Sequence, residues 1–176
     1  MPRLPVLGAA AAWLLVACSP ALDWRELRPA GAGVVALFPC KPASHARRLM
    51  LAGTTVTMTL HACTADGVTW ALAHADVGDP ALVADALTGL RDAASANLGP
   101  GQAQNMPARS GHVSGATPNR QAGRVVIEGR LPDGSAVQEQ QLLFVRGTTV
   151  LQATAIGARL DGQALEAFFG GLRVLP

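Results

Sequence analysis

The sequence contains no tyrosine, only 4% of its residues are aromatic, and only 15% are charged. So few aromatic residues exclude an outer-membrane β-barrel, which needs aromatic girdles at both membrane interfaces. The formal net charge of +2 lacks the basic excess that is typical of nucleic-acid-binding proteins. Because 49% of the residues are apolar, intrinsic disorder is excluded as well. The composition therefore predicts a globular domain of ordinary size.

The N-terminal segment has the pattern of an export signal. One basic residue, Arg3, is followed by an uncharged apolar run that ends at Ala17 and is too short to span a bilayer as a helix. This pattern is typical of a secretory signal peptide. The four residues Leu15-Val16-Ala17-Cys18 resemble the lipobox of bacterial lipoproteins. The resemblance implies that Cys18 becomes the acylated first residue of the mature protein.

The lipobox resemblance also implies a location. A lipid on Cys18 would anchor the chain in the bacterial cell envelope with its domain facing the periplasm, and Ser19 after it favours the outer membrane over the inner membrane. An ordinary signal peptide with a chance cysteine near its end is the alternative. We expect a signal peptide at 1–17, a lipidated tether at 18–30 and a single domain at 31–176.

Two further cysteines, Cys40 and Cys63, remain once Cys18 is assigned to the lipid. Exported proteins meet an oxidising environment in which paired thiols usually form structural disulfides. Closing a loop of this length would stabilise the fold by roughly 3 kcal/mol on the chain-entropy model. The alternative is a metal or redox pair, although redox cysteines normally stand two residues apart in a C-x-x-C motif.

The hydrophobic pattern predicts an α+β fold with an antiparallel sheet of about six strands flanked by helices. Turn residues such as Asp66-Gly67, Pro132-Asp133-Gly134 and Arg146-Gly147 separate the apolar runs. The predicted strands are 33–38, 49–63, 68–77, 121–131, 136–145, 148–156 and a short one at 172–175, with an irregular edge strand at 109–117. Helices are predicted at 79–98, with Asp79 as N-cap, and at 161–169.

This order of elements resembles the α/β/α sandwich of PsbP-like and DcrB-like proteins. The resemblance is carried by residues 35–39, 67–76, 79–98, 123–134 and 168–172. It implies a binding or assembly factor that is not an enzyme, although a fold by itself does not transfer a function. No catalytic residue of the family can be placed on this chain.

Catalytic motifs are largely missing from the sequence. Gly111-His112-Val113-Ser114-Gly115 has its serine one place away from the G-x-S-x-G elbow of serine hydrolases. The single lysine, Lys41, does not belong to a phosphate-binding loop. The acidic residues are scattered, and several lie in turns or at helix starts. We therefore predict no enzymatic activity and no cofactor, with a hydrolase of unrecognised type as a remaining alternative.

One possible ligand site comes from the predicted hairpin. If Asp66-Gly67 forms a two-residue turn, His61 and His74 lie on one face of neighbouring strands, with Asp76 beside His74. Two imidazoles and a carboxylate could bind a divalent transition metal. Two histidines that are packed or solvated without a ligand are the more common arrangement, and they remain the alternative.

Two further features suggest a partner. The arginines of residues 109–130 form a basic band that could contact an anionic envelope component or an acidic protein; its members are Arg109, Arg120, Arg124 and Arg130. A solvated strand face is the alternative. Trp70 could anchor a partner, or it could be core under a covering helix. The sequence thus predicts an envelope lipoprotein with a binding domain, and a small-ligand or divalent-metal carrier (His61, His74, Asp76) is the alternative function.

Overall fold

The computed structural model describes residues 22–99, 104–106 and 111–176, the side chains of 104–106 excepted. Ten strands and two α-helices follow one another in the described part of the chain. In order they are β1 (Arg25–Leu27), β2 (Val34–Phe38), β3 (Ala43–Leu51), β4 (Thr54–Ala65), β5 (Val68–Asp76), a 3-10 turn (Pro80–Leu82), α1 (Val83–Asn97), β6 (Gln104–Met106), β7 (Gly123–Arg130), β8 (Ala136–Arg146), β9 (Thr149–Gly157), α2 (Gly162–Gly170) and β10 (Arg173–Val174).

The strands form two antiparallel sheets. Seven strands form the larger sheet in the order β3-β4-β5-β9-β8-β7-β6, and β1-β2-β10 form the smaller one. The α+β class is thus confirmed, with one more strand in the main sheet than the six expected and a second sheet that was not predicted. β1 lies inside the segment 18–30 that the sequence interpretation assigns to the tether, and it pairs with β2.

Helices cover both faces of the larger sheet. One core lies between α1 and the sheet, and it includes Val56, Leu87 and Val150. The other lies between the sheet and a layer formed by β2 and α2, and it includes Leu72 and Phe168. Consecutive side chains in a strand point to opposite faces of the sheet. Because both faces of the larger sheet are covered, its central strands have apolar side chains on both sides.

Local signals explain why the elements begin and end where they do. Asp66 and Gly67 both have positive φ, as the tight turn between β4 and β5 requires, and the predicted register of this hairpin is confirmed. Asp79 accepts a hydrogen bond from the amide of Ala81 at the start of the helical segment, and Asp161 caps α2 in the same way. The predicted meander is confirmed as β7, β8 and β9.

Two of the predicted strands were wrong. The single strand predicted at 49–63 is interrupted by a second tight turn at Ala52 and Gly53, both with positive φ, so β3 and β4 form a hairpin. The edge strand predicted at 109–117 is not present over 111–117, where Ser114 makes only an isolated bridge to Arg173. Residues 109 and 110 lie outside the described part of the chain.

Candidate functional site

His61 and His74 lie side by side on the face of the sheet that β2 and α2 cover. His61 pairs with Leu72 and His74 with Thr59, so the two imidazoles are diagonal neighbours. The rings are stacked and nearly parallel, with 5.8 Å between their centres. Both side chains are buried, and neither Nε2 has a hydrogen-bond partner among the described residues. Burial lowers the pKa of both histidines, and for His74 the neighbouring His61 lowers it further.

This pair does not form the metal site that the sequence suggested together with Asp76. Each imidazole lone pair lies in its ring plane, so two stacked rings do not direct their nitrogens at one ion. Asp76 is exposed at the end of β5, where its carboxylate accepts a 2.9 Å hydrogen bond from the amide of Gly78. Within the described residues, no group of three or more histidine, cysteine, aspartate or glutamate side chains could hold a metal ion.

The predicted basic band is not a continuous surface. The Arg124 side chain is only 12% exposed and bonds Glu166 at 2.8 Å and Gln140 at 2.7 Å. Its guanidinium also lies 4.5 Å from the ring centre of Phe169, so this arginine joins β7 to α2. Arg120 and Arg130 are exposed, and Arg109 lies outside the described residues. Arg124 is therefore occupied inside the fold and is not free to bind a partner.

Trp70 is a core residue and does not anchor a partner. Only 1% of its surface is exposed, and its ring packs edge-on against Phe168 with centres 5.1 Å apart. Trp24, which precedes β1, covers it from another side at 6.3 Å. The layer formed by β2 and α2 buries this face of the hairpin, so the partner-anchor hypothesis was wrong and the core alternative was correct.

The disulfide predicted from the cysteine count is present. Cys40 and Cys63 are bonded with a Cα separation of 6.0 Å. The bridge joins the segment after β2 to β4, and it therefore ties the smaller sheet to the second strand of the larger one. Cys18 and the rest of the predicted lipobox lie outside the described residues.

The opposite face of the sheet carries polar residues that the sequence interpretation missed. A cleft of about 440 Å³ opens between α1 and the sheet. Its apolar lining includes Leu49, Met58 and Leu90. Its polar lining consists of Glu139 of β8, Gln152 and Thr154 of β9, Arg47 of β3 and Asn97 of α1. A cleft of this size and mixed lining is typical of sites that bind small molecules.

Among the titratable groups in the described part of the chain, Glu139 is a buried carboxyl with a strongly raised pKa. It is 6% exposed, and burial raises its pKa to about 7. Behind it on β8, Gln141 is fully buried; its Oε1 accepts a 2.6 Å hydrogen bond from Gln152, while its own Nε2 has no partner among the described residues. Perturbed carboxyls in clefts mark candidate functional sites. In the sequence, the only signal is that Glu139 and Gln141 share a strand face with the apolar Leu143.

The outer edge of β3 is a second candidate surface. This nine-residue strand ends the larger sheet and, among the described residues, pairs only with β4. Residues 43–48 are all exposed, and they include Arg47 and Arg48 but no acidic residue. Met50, which follows, is 65% exposed. An edge of this length offers unpaired backbone groups to another strand.

Comparisons with protein-family models and with curated proteins returned no match for this chain. Across 22–99, 104–106 and 111–176, no helix is long and apolar enough to cross a membrane. The features that bear on function are the lipobox-like sequence, the disulfide, the cleft and the β3 edge.

Proposed function

We propose that this protein is a membrane-anchored lipoprotein of the bacterial cell envelope, and that its domain acts in the periplasm as a non-enzymatic binding or assembly module. The observation that carries the proposal is the combination of an export signal ending in Cys18 with the Cys40–Cys63 disulfide. Disulfides persist in oxidising compartments such as the periplasm. An acylated cysteine would supply a stable anchor because it carries more than one lipid chain.

The arrangement of layers supports the resemblance to the PsbP-like sandwich. The larger sheet has α1 on one face and α2 with the smaller sheet on the other. In this resemblance the domain binds a partner and does not catalyse a reaction. We place the outer membrane ahead of the inner membrane as the site of the anchor, because Ser19 follows Cys18.

The β3 edge is the surface that best suits a protein partner. An extended segment can add to a free sheet edge through backbone hydrogen bonds, while side chains on alternate positions provide selectivity. A second copy of the chain is a poor occupant, because antiparallel self-pairing about Arg47 would place like charges opposite each other. An extended acidic segment of another envelope protein complements Arg47 and Arg48.

The anchor is tested by fractionating cells that express the wild type, Cys18→Ser and, as a matched control, Ser19→Ala. We expect the wild type and the Ser19 variant in the membrane fraction and the Cys18 variant outside it. Unchanged membrane association of Cys18→Ser would contradict the proposal.

The partner surface is tested by crosslinking in intact cells with a photoreactive residue at position 45 of β3. We expect one discrete adduct, which is lost in the Arg47→Glu/Arg48→Glu variant. Arg130→Glu is the control, since Arg130 is also exposed but lies on β7, which four strands separate from β3. An adduct that survives reversal of the β3 charges, or no adduct at all, would contradict a binding role for this edge.

One observation favours the alternative of a small-ligand carrier, namely the cleft beside Glu139. The divalent-metal version of that alternative finds no such support, because His61 and His74 are stacked and Asp76 is bonded at the end of its strand.

A further inference from the structure

The polar side of the cleft contains three hydrogen-bond acceptors on two adjacent strands. Glu139 contributes a carboxyl, Thr154 a hydroxyl and Gln152 an amide oxygen. The orientation of the Gln152 amide follows from its partner: Nε2 donates to Oε1 of Gln141, and the Gln152 Oε1 is thereby left to accept. β8 and β9 are hydrogen-bonded neighbours: Thr154 lies opposite Gln141, two residues from Glu139, and Gln152 lies opposite Leu143, four residues from Glu139.

The carboxyl of Glu139 makes no ion pair among the described residues. Arg47 of β3 also lines the cleft, but this arginine is exposed, so solvent screens its charge. Proteins rarely bury a carboxyl without a charged or hydrogen-bonding partner, because the ionised form loses its hydration. Glutamine occupies positions 138, 140 and 141 on the same strand, so the acid at 139 stands out among neutral residues of equal size.

We propose that this cleft binds a primary aliphatic amine. The ammonium group donates to the Glu139 carboxylate and to the hydroxyl of Thr154, which lies opposite Gln141, two residues from Glu139 on β8. Its alkyl chain lies against Leu49, Met58 and Leu90. The helix side of the cleft leaves room for such a chain because Gly89, Ala93 and Ala94 there are small. The site is on the opposite face of the sheet from His61 and His74.

The charge of the cleft selects this class of ligand. A carboxylate ligand would place a second negative charge beside the buried Glu139, whereas the exposed Arg47 offers it only a screened positive charge. An alcohol carries no charge that could neutralise the ionised Glu139. A cation paired with Glu139 favours the ionised form of the carboxyl. Binding should therefore strengthen as the pH rises through the pKa of about 7.

The test uses the isolated domain, residues 22–176, and three matched probes: n-hexylammonium, n-hexanol and hexanoate. Binding is measured by NMR titration of backbone amides. We expect n-hexylammonium to shift the amides of β8, β9 and α1, with an affinity about tenfold higher at pH 8 than at pH 6. Hexanoate should not bind. Equal binding of the alcohol and the amine, or an amine affinity independent of pH, would overturn the proposal.

Two variants locate the site. Glu139→Gln keeps the shape of the side chain, and we expect at least a tenfold loss of n-hexylammonium affinity together with loss of its pH dependence. Ala93→Phe should block the cleft, whereas Ala96→Phe is the control because it places the same residue on an exposed part of α1 outside the cleft. Amide spectra without ligand show that each variant is folded. Retained amine binding in a folded Glu139→Gln or Ala93→Phe domain would refute the assignment.

Discussion

Replacing Glu139 by glutamine should change how the stability of this protein depends on pH. In the folded state burial raises the pKa of this carboxyl from 4.5 to about 7. A raised pKa means that the folded protein holds the proton more tightly than the unfolded chain does. The stabilisation is complete below the unfolded pKa near 4.5, and it is lost as the pH rises through about 7. Glutamine does not titrate, so the variant should not show this loss.

The size of the effect follows from the same difference in pKa. Each pKa unit corresponds to 1.36 kcal/mol, so the change from 4.5 to about 7 is equivalent to about 3 kcal/mol in the free energy of unfolding. Because Glu139 is nearly fully buried, solvent screening reduces this figure little. Between pH 4 and pH 8 the wild type should thus lose about 3 kcal/mol of unfolding free energy that Glu139→Gln does not lose.

Urea unfolding of both proteins at several pH values between 4 and 8 measures this difference directly. Glu128→Gln is the control, because Glu128 is exposed on β7 and should leave the pH profile unchanged. Parallel wild-type and Glu139→Gln profiles across this range would refute the reasoning, since they would show that the carboxyl is ionised at little cost in the folded protein.

Three further substitutions probe other parts of the fold by the same unfolding measurement. Replacing His61 and His74 by phenylalanine should reduce the fall in unfolding free energy between pH 7 and pH 5. The pKa of each histidine is lower in the folded protein, so protonation below about pH 6.5 favours the unfolded chain. Removing the bridge with Cys40→Ala/Cys63→Ala should cost roughly 3 kcal/mol. Gly129→Ala should cost about 1–3 kcal/mol, since its Cβ would lie 2.6 Å from the Cβ of Leu98 and 2.7 Å from its carbonyl oxygen.

Each of these has its own control. Above pH 8 the unfolding free energy of the histidine variant should depend on pH as that of the wild type does. An unaltered pH dependence between pH 7 and 5 would contradict the burial argument. Reduced wild-type protein should lose as much stability as the cysteine variant, and a smaller loss in both would show that the bridge contributes little. Gly162→Ala has open space around its Cβ and should be neutral; equal costs at Gly129 and Gly162 would contradict the packing argument.

The parts of the fold that could be predicted are those with a strong local signal. The turn at Asp66-Gly67 fixed the register of β4 and β5 because both residues adopt the positive φ that this turn type needs. The periodic apolar stripe of α1 and the capping residues Asp79 and Asp161 located the helical segments. The cysteine count predicted the disulfide without any structural information.

The parts that were missed depend on contacts distant in sequence. β3 escaped prediction because residues 43–48 are exposed on both faces and have no apolar alternation. Its turn contains Ala52, which seldom adopts positive φ, so no strong turn signal separated it from β4. Glu139 and Gln141 were not recognised because only the packing of α1 across the sheet shows that they are buried.

The central claim, that the protein is a lipid-anchored envelope lipoprotein, is tested most directly by mass spectrometry of the N-terminal peptide of the mature protein from cell membranes. We expect this peptide to begin at Cys18 and to carry the added mass of a diacylglyceryl and an N-acyl group. A mature chain that begins elsewhere, or an unmodified Cys18, would contradict the claim.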